Sequence, residues 1–158
     1  MSIKKPTKLP KIHLGTDHAG FELKESVKTW LAVEGYSVID HGAKTLDPLD
    51  DFSDFVTLAV KALAKNPKNA KALIFGGSGQ GEAMMANRFK KIRAAVYYGG
   101  DEEIITLSRH HNDANVLSIG ARFVNTDLAK KVIWDWLHTE PLTDKKYQRR
   151  NKELDTLS

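Results

Sequence analysis

Five short apolar runs, separated by longer stretches with helical spacing, constrain this chain more than any other feature of its sequence. The runs cover residues 12–16, 36–40, 72–75, 94–98 and 115–120. Helices are expected over 21–34, 54–65, from near Gly81, from Gly99-Gly100-Asp101 to about His110, over 126–138, and over 145–157. In the first of these, Phe21, Val27, Trp30, Leu31 and Val33 fall at spacings compatible with one face, and Gly35 ends it. Asp54 is read as the cap of the second. Strands that alternate with helices pair in parallel, and a parallel sheet has to be covered on both faces. The expected fold class is therefore α/β, a three-layer α/β/α sandwich around a five-stranded, parallel, Rossmann-like sheet. In such sheets ligands sit beyond the carboxyl ends of the strands, so the loops after the first and third strands share one rim.

With 158 residues, one domain accounts for the whole pattern. Residues 1–10 read as a flexible basic segment, and 11–158 as a single domain that includes a basic C-terminal helix. The net charge of +4 is mild and fits an anionic metabolite as well as a nucleic acid. The chain has no cysteine, which removes disulfides, thiolate metal sites and a thiol nucleophile together. No apolar run approaches a membrane span, and residues 1–11 lack the apolar core of a secretion signal. A cytoplasmic location is the expectation.

Chemistry concentrates where the third run empties into Gly76-Gly77-Ser78-Gly79-Gln80-Gly81-Glu82. Glycines let a backbone bend sharply and approach a bound anion, and N–H groups at such a turn and at the start of the next helix favour negative charge. Glu82 stands where it would act as a proton-transfer base. The pairing suggests chemistry on a carbonyl-bearing anionic small molecule. Gly81 is followed by Glu82 and Ala83 where a P-loop needs Lys and then Ser or Thr, and the spacing also misses the dinucleotide pattern. A bare tight turn is the plainer alternative.

Asp17-His18 follows the first strand, facing the same rim. Asp17 either caps the next helix or accepts hydrogen bonds from sugar hydroxyls, and His18 would contact an anion. In Ser108-Arg109-His110-His111-Asn112-Asp113 the adjacent histidines point about 100° apart on a helix, a poor arrangement for one metal ion. No metal site is expected. An imidazole that titrates near neutrality suits proton shuttling, but position sets a condition. A helix from Asp101 to His110 runs back for roughly 15 Å from the carboxyl rim, so a catalytic His111 would enter the site of a neighbouring subunit. The basic cluster Lys145, Lys146, Arg149, Arg150 and Lys152 is either a solvated face or, with Arg122, a phosphate clamp. Met84 and Met85 read as core, and the three tryptophans as structural.

Together these segments resemble the type B ribose-5-phosphate isomerases, a family that also includes galactose-6-phosphate and allose-6-phosphate isomerases. The likeness runs from about Ile12 to Lys152 through Gly15-Thr16-Asp17-His18-Ala19-Gly20, Asp51-Phe52-Ser53-Asp54-Phe55, residues 76–82 with Ala86-Asn87, residues 108–115, and Gly120-Ala121-Arg122. The resemblance implies a homodimer or dimer of dimers with shared sites, no metal and no organic cofactor. It further implies a sugar-phosphate substrate, with neither nucleic acid nor membrane as partner. One branch of the family carries a cysteine base at the position of Gly76; another, which this chain resembles, places a glutamate after the loop. Glu82 would then be the base and His111 would open the sugar ring. Asp17 would orient sugar oxygens, and Ser78 would hold the C1 or C2 oxygen. Asn112 and the amides of Gly77, Gly79 and Gly81 would stabilise an enediolate, and His18, Arg122, Lys146 and Arg150 would meet phosphate. The chain departs from the family's frequent residues at Lys146, Tyr147, Phe52 and Ser53. The implied reaction is interconversion of ribose 5-phosphate and ribulose 5-phosphate in the pentose phosphate pathway. A six-carbon sugar-phosphate isomerase and a non-catalytic nucleotide-binding α/β module stand as alternatives.

Overall fold

The computed structural model describes residues 8–157. Expectations for the first seven residues, including most of the basic lead-in, lie outside that range. Five strands form one parallel sheet: β1 (Lys11–Thr16), β2 (Val38–Asp40), β3 (Ala70–Gly76), β4 (Ala94–Tyr97) and β5 (Val116–Gly120), in the order β2-β1-β3-β5-β4. Six helices follow the chain: α1 (Phe21–Val33), α2 (Phe52–Ala64), α3 (Gln80–Ala86), α4 (Glu103–His110), α5 (Thr126–His138) and α6 (Lys145–Thr156).

The central strands β1, β3 and β5 are buried at nearly every position because both faces are covered. In β3, Leu73 and Phe75 join a core with Val27 and Leu31 of α1, Ile105 of α4 and Val132, Ile133 and Trp136 of α5. Ala72 and Ile74 point the other way, onto Val56, Ala59, Val60 and Leu63 of α2 and Ala86 of α3. The three-layer sandwich expected from the alternation is the architecture observed. β1 leads to β2 on one side and pairs with β3 on the other, so the order reverses between β1 and β3. The crevice outside their carboxyl ends is where a sheet of this kind receives ligands.

Three local expectations need correction. Val33 is 81% exposed, because the buried stripe of α1 is Leu23, Val27 and Leu31 at four-residue steps. Two residues beyond Leu31 lies about 200° further round the helix. Asp54 is not the cap of α2. Asp51 holds that position with an extended backbone, and Asp54 sits in the first turn, where a carboxylate still complements the helix dipole. Met84 is 67% exposed rather than core, while Met85 packs partly against the α2–α3 side. The tryptophans are structural as expected: Trp136 is fully buried, and Trp30 meets Trp134 between α1 and α5 at 6.2 Å.

Lys24 is an unexpected part of the core. Its side chain is fully buried, and Nζ donates to both Asp40 carboxylate oxygens at 2.8 and 2.7 Å and to the Ala43 carbonyl at 2.7 Å. Burial alone would raise the Asp40 pKa, but Lys24, Lys28 and the Gly42 N–H outweigh it and hold it below the usual carboxylate value. A group with a depressed folded-state pKa contributes stability above its unfolded pKa and loses it as acid protonates the fold. Lys24→Met leaves a mostly buried carboxylate without its main partner, and should cost about 3–5 kcal/mol. Urea unfolding at neutral pH checks this, and the gap to the parent should narrow in acid. An unchanged midpoint would mean that Lys28 alone satisfies Asp40.

Candidate active site

Two loops are fastened together at the crevice between β1 and β3. The Thr16 hydroxyl, at the end of β1, donates to the Phe75 carbonyl at 3.0 Å. The backbone then turns through Asp17 and a single 3-10 turn (His18–Gly20) before α1. Asp17 is 8% exposed, and its Oδ1 accepts the Ala19 N–H at 3.0 Å. The plain capping role weighed for Asp17 is thus real, and it spends only one of the two carboxylate oxygens.

On the β3 side, the glycine loop ends in Gly79, whose φ of +78° lies in the left-handed region that favours glycine. Ser118, pointing from β5 towards this loop, donates its hydroxyl to the Gly79 carbonyl at 2.7 Å. Ala121 and Arg122 donate their N–H groups to the carbonyls of Gly76 and Gly77 at 2.8 and 3.1 Å. The loop's carbonyls are therefore held from behind. Among the described residues, the N–H groups of Gly77, Ser78 and Gly79 meet no acceptor in loops or turns. The Ser78 hydroxyl is exposed and accepts from the Gln80 N–H at 3.3 Å.

Glu82 occupies the first turn of α3 and is only 5% exposed. Its carboxylate folds back onto Gly76 so closely that a Cβ at position 76 would overlap it. Burial raises its pKa above the ordinary value, its own backbone N–H works against that, and the negative charge of Asp17 raises it further. A carboxylate made more basic beside unpaired amides is equipped to take a proton from carbon and to stabilise the resulting oxyanion. Phe52 lies against Gly81, and the Arg122 guanidinium lies over Gly77, 3.1 Å from where a Cβ would stand.

His18 completes this rim. Its backbone N–H and its ring Nδ1 both meet Asp50 Oδ1, at 2.9 and 2.8 Å. The hydrogen bond to Asp50 raises its pKa; burial lowers it, the Asp17 and Asp50 charges raise it, and Arg122 lowers it. Asp17, His18 and Asp50 each offer a ligand atom within 4.8 Å of the others. His18 and Asp50 are joined by a hydrogen bond, whereas Asp17 accepts from Ala19.

One chain thus assembles Asp17, His18, Gly77, Ser78, Gly79, Gly81, Glu82 and Arg122. It does not bring His111, Asn112, Lys146 or Arg150 to them. His111 caps the far end of α4, stacked on Tyr147 of α6 at 4.5 Å, and its carbonyl accepts from Asn151. The Asn112 carbonyl accepts from Arg93, just ahead of β4. These residues lie at the amino edge of the sheet, on the order of 15 Å along the strands from Glu82. The run-back of α4 anticipated that separation. Lys146 and Arg150 are exposed on α6, which buries none of its residues. Asp50, Thr16 and Ser118 were not singled out by sequence, because their partners are 32, 59 and 39 residues away. Asp50 sits in an acidic loop with no periodic pattern to mark it.

A parallel α/β/α sheet with a buried carboxylate on a glycine loop at its switch point defines a Rossmann-like protein built for small-molecule chemistry. The chain belongs to the ribose/galactose isomerase family, whose pattern matches residues 12–154. It is 37% identical over 129 residues to a probable ribose-5-phosphate isomerase B of Mycoplasma pneumoniae, covering 82% of this chain and 83% of that one. To the ribose-5-phosphate isomerase B of Escherichia coli K12 it is 36% identical over 129 residues, covering 82% and 84%. The ribose-5-phosphate isomerase B of Mycoplasma genitalium, solved with bound ribulose-5-phosphate, superposes with a TM-score of 0.87 at 30% identity, over 94% of this chain and 95% of that one.

Proposed function

We propose that this chain interconverts ribose 5-phosphate and ribulose 5-phosphate through a cis-enediol, with Glu82 as the base. The observation that carries the reading is the Glu82 carboxylate lying on Gly76. Where relatives of one branch have a cysteine, this chain has no side chain, and a carboxylate from the following helix fills that space. The relatives' names and the ribulose-5-phosphate bound to a structural neighbour support the sugar.

After ring opening, Glu82 removes the C2 proton of the aldehyde form and delivers it to C1. The C2 hydroxyl meanwhile passes its proton to the C1 oxygen through the Ser78 hydroxyl, so that C1 becomes the alcohol and C2 the ketone. Negative charge gathers on the C1 oxygen as the C2–H bond breaks. The amides of Gly77, Ser78 and Gly79 and the Ser78 hydroxyl stabilise that charge; one such donor is worth about 3–4 kcal/mol. Asp17, with one oxygen uncommitted, orients sugar hydroxyls. Arg122 and His18 take the phosphate. Side chains and amides carry each of these steps.

Ring opening by His111, enediolate support from Asn112 and the remaining phosphate contacts from Lys146 and Arg150 require a second copy of the chain. Apolar surface beside the site supports such a partner. Phe89 lines two neighbouring cavities, one with Phe52, Met84 and Met85, the other with Ile92, Leu154 and Leu157. Met84 and Leu157 are 67% and 84% exposed, and adjoining apolar patches of this kind mark contact surfaces. A homodimer, or a dimer of dimers, is the assembly we infer. With phosphorylated sugars as substrates, the reaction belongs with the pentose phosphate pathway in the cytoplasm. Among the described residues, no helix is long and apolar enough to cross a membrane.

The test compares kcat/KM for ribose 5-phosphate, allose 6-phosphate and galactose 6-phosphate. Ribose 5-phosphate should be preferred by at least about tenfold, an ordinary pocket discrimination. Its acid limb should fall above the usual carboxylate range, because Glu82 must be ionised and its pKa is raised. Preference for a six-carbon substrate would replace this reading with that of a six-carbon sugar-phosphate isomerase.

A further inference from the structure

His18 and Asp50 form a unit that the proposed chemistry leaves unexplained. The Asp50 side chain is only 9% exposed and His18 is 31% exposed. A single oxygen, Asp50 Oδ1, takes both the backbone N–H of His18 at 2.9 Å and its ring Nδ1 at 2.8 Å. Two bonds from one residue to one atom fix the imidazole's rotation as well as its position. Nδ1 is committed to the carboxylate, so it carries a proton, and Nε2 is the nitrogen left for a ligand. In the neutral ring with Nδ1–H, Nε2 is an acceptor and repels a phosphate oxygen. Only the imidazolium presents a donor at both nitrogens.

We propose that Asp50 is a positioning residue that turns His18 so that Nε2–H, in the charged imidazolium, is offered to the substrate's phosphate. This rests on the reading of His18 as a phosphate contact. The arrangement resembles the way a carboxylate behind a metal-bound histidine fixes its tautomer and orientation, with a phosphate in place of the metal. The groups facing His18 are Asp50 from the loop before α2, Asp17 from the loop after β1 and Arg122 from the loop after β5. The two carboxylates favour the cation and Arg122 opposes it. The positive state of His18 is present at low pH and is lost as pH rises.

Asp50→Asn keeps an acceptor oxygen for both contacts and removes the charge. The pH dependence of KM for ribose 5-phosphate, and of inhibition by inorganic phosphate, should be measured in the parent, Asp50→Asn and His18→Ala. In the parent, KM stays low to a higher pH than in Asp50→Asn, whose alkaline rise moves down towards that of a free imidazole. Near pH 7.5 the variant's KM should be about tenfold higher, as expected for losing one charge-assisted contact, with kcat less affected. The phosphate's own second ionisation, near pH 6, is common to all three enzymes. A His18→Ala variant with unaltered KM would overturn the phosphate role of His18 itself. A raised KM in His18→Ala alongside a parental pH profile in Asp50→Asn would overturn the Asp50 inference alone. Nitrogen-15 NMR of the parent provides a check free of any variant at Asp50, the His18 signals being identified by their absence in His18→Ala. A neutral ring protonated on Nε2 at pH 7 would overturn the inference, and a doubly protonated ring would support it.

Discussion

Glu82→Gln removes turnover, with kcat falling by at least about a thousandfold, within the range for loss of a positioned base, while sugar-phosphate binding changes by no more than a few-fold. Gln matches Glu in shape, so it can fill the same space against Gly76, but it cannot accept a proton at carbon. The amides of the glycine loop and the Arg122 guanidinium are untouched by the exchange. Ground-state binding should therefore survive, and the loss should sit in the chemical step. Isothermal titration with ribose 5-phosphate beside steady-state rates separates the two. A variant that neither binds nor turns over would signal a collapsed loop, and one that turns over normally would remove Glu82 from its role.

The second large effect concerns His111. His111→Ala should be nearly inactive, and a Glu82→Gln protein should be nearly inactive too, but a refolded mixture should regain activity. If each site takes Glu82 from one subunit and His111 from another, random pairing yields intact sites in half of the dimers, one per dimer. About a quarter of parental activity should return, as the two-fold symmetry of such a dimer dictates. A site contained within one chain would give no recovery at all. The geometry behind this is the stack of His111 on Tyr147 at the amino edge of the sheet, while Glu82 lies beyond the carboxyl edge.

Much of the architecture was legible because parallel strands buried on both faces read as short apolar runs. Residues 72–75 lie within β3, and residues 126–138 coincide with α5, where Asn125 accepts the Leu128 N–H as a cap. Boundaries failed where one residue serves two roles. Tyr36 reads as strand from its sequence, but its N–H donates to the Leu31 carbonyl at the close of α1, after Gly35 at φ +90°. Met84 reads as core because it is apolar, yet the side of α3 that carries it faces away from the sheet and leaves it exposed. The glycine loop and Glu82 were legible because their relation is local, six residues along one turn. The distance to His111 was legible from helix rise alone. Asp50 and the Lys24–Asp40 pair were not, because each depends on which loop the fold brings alongside, and nothing in a polar loop encodes that register.

The central claim is that the Glu82 carboxylate breaks the C2–H bond. The most direct measurement follows the label from ribose 5-phosphate deuterated at C2, by NMR, with the parent and with Glu82→Gln at saturating substrate. In the parent, deuterium should leave C2 and appear at C1 of ribulose 5-phosphate or in water, with a primary isotope effect on the rate. In Glu82→Gln, bound substrate should keep its deuterium at C2. Loss of that label at the parental rate in the variant would contradict the account.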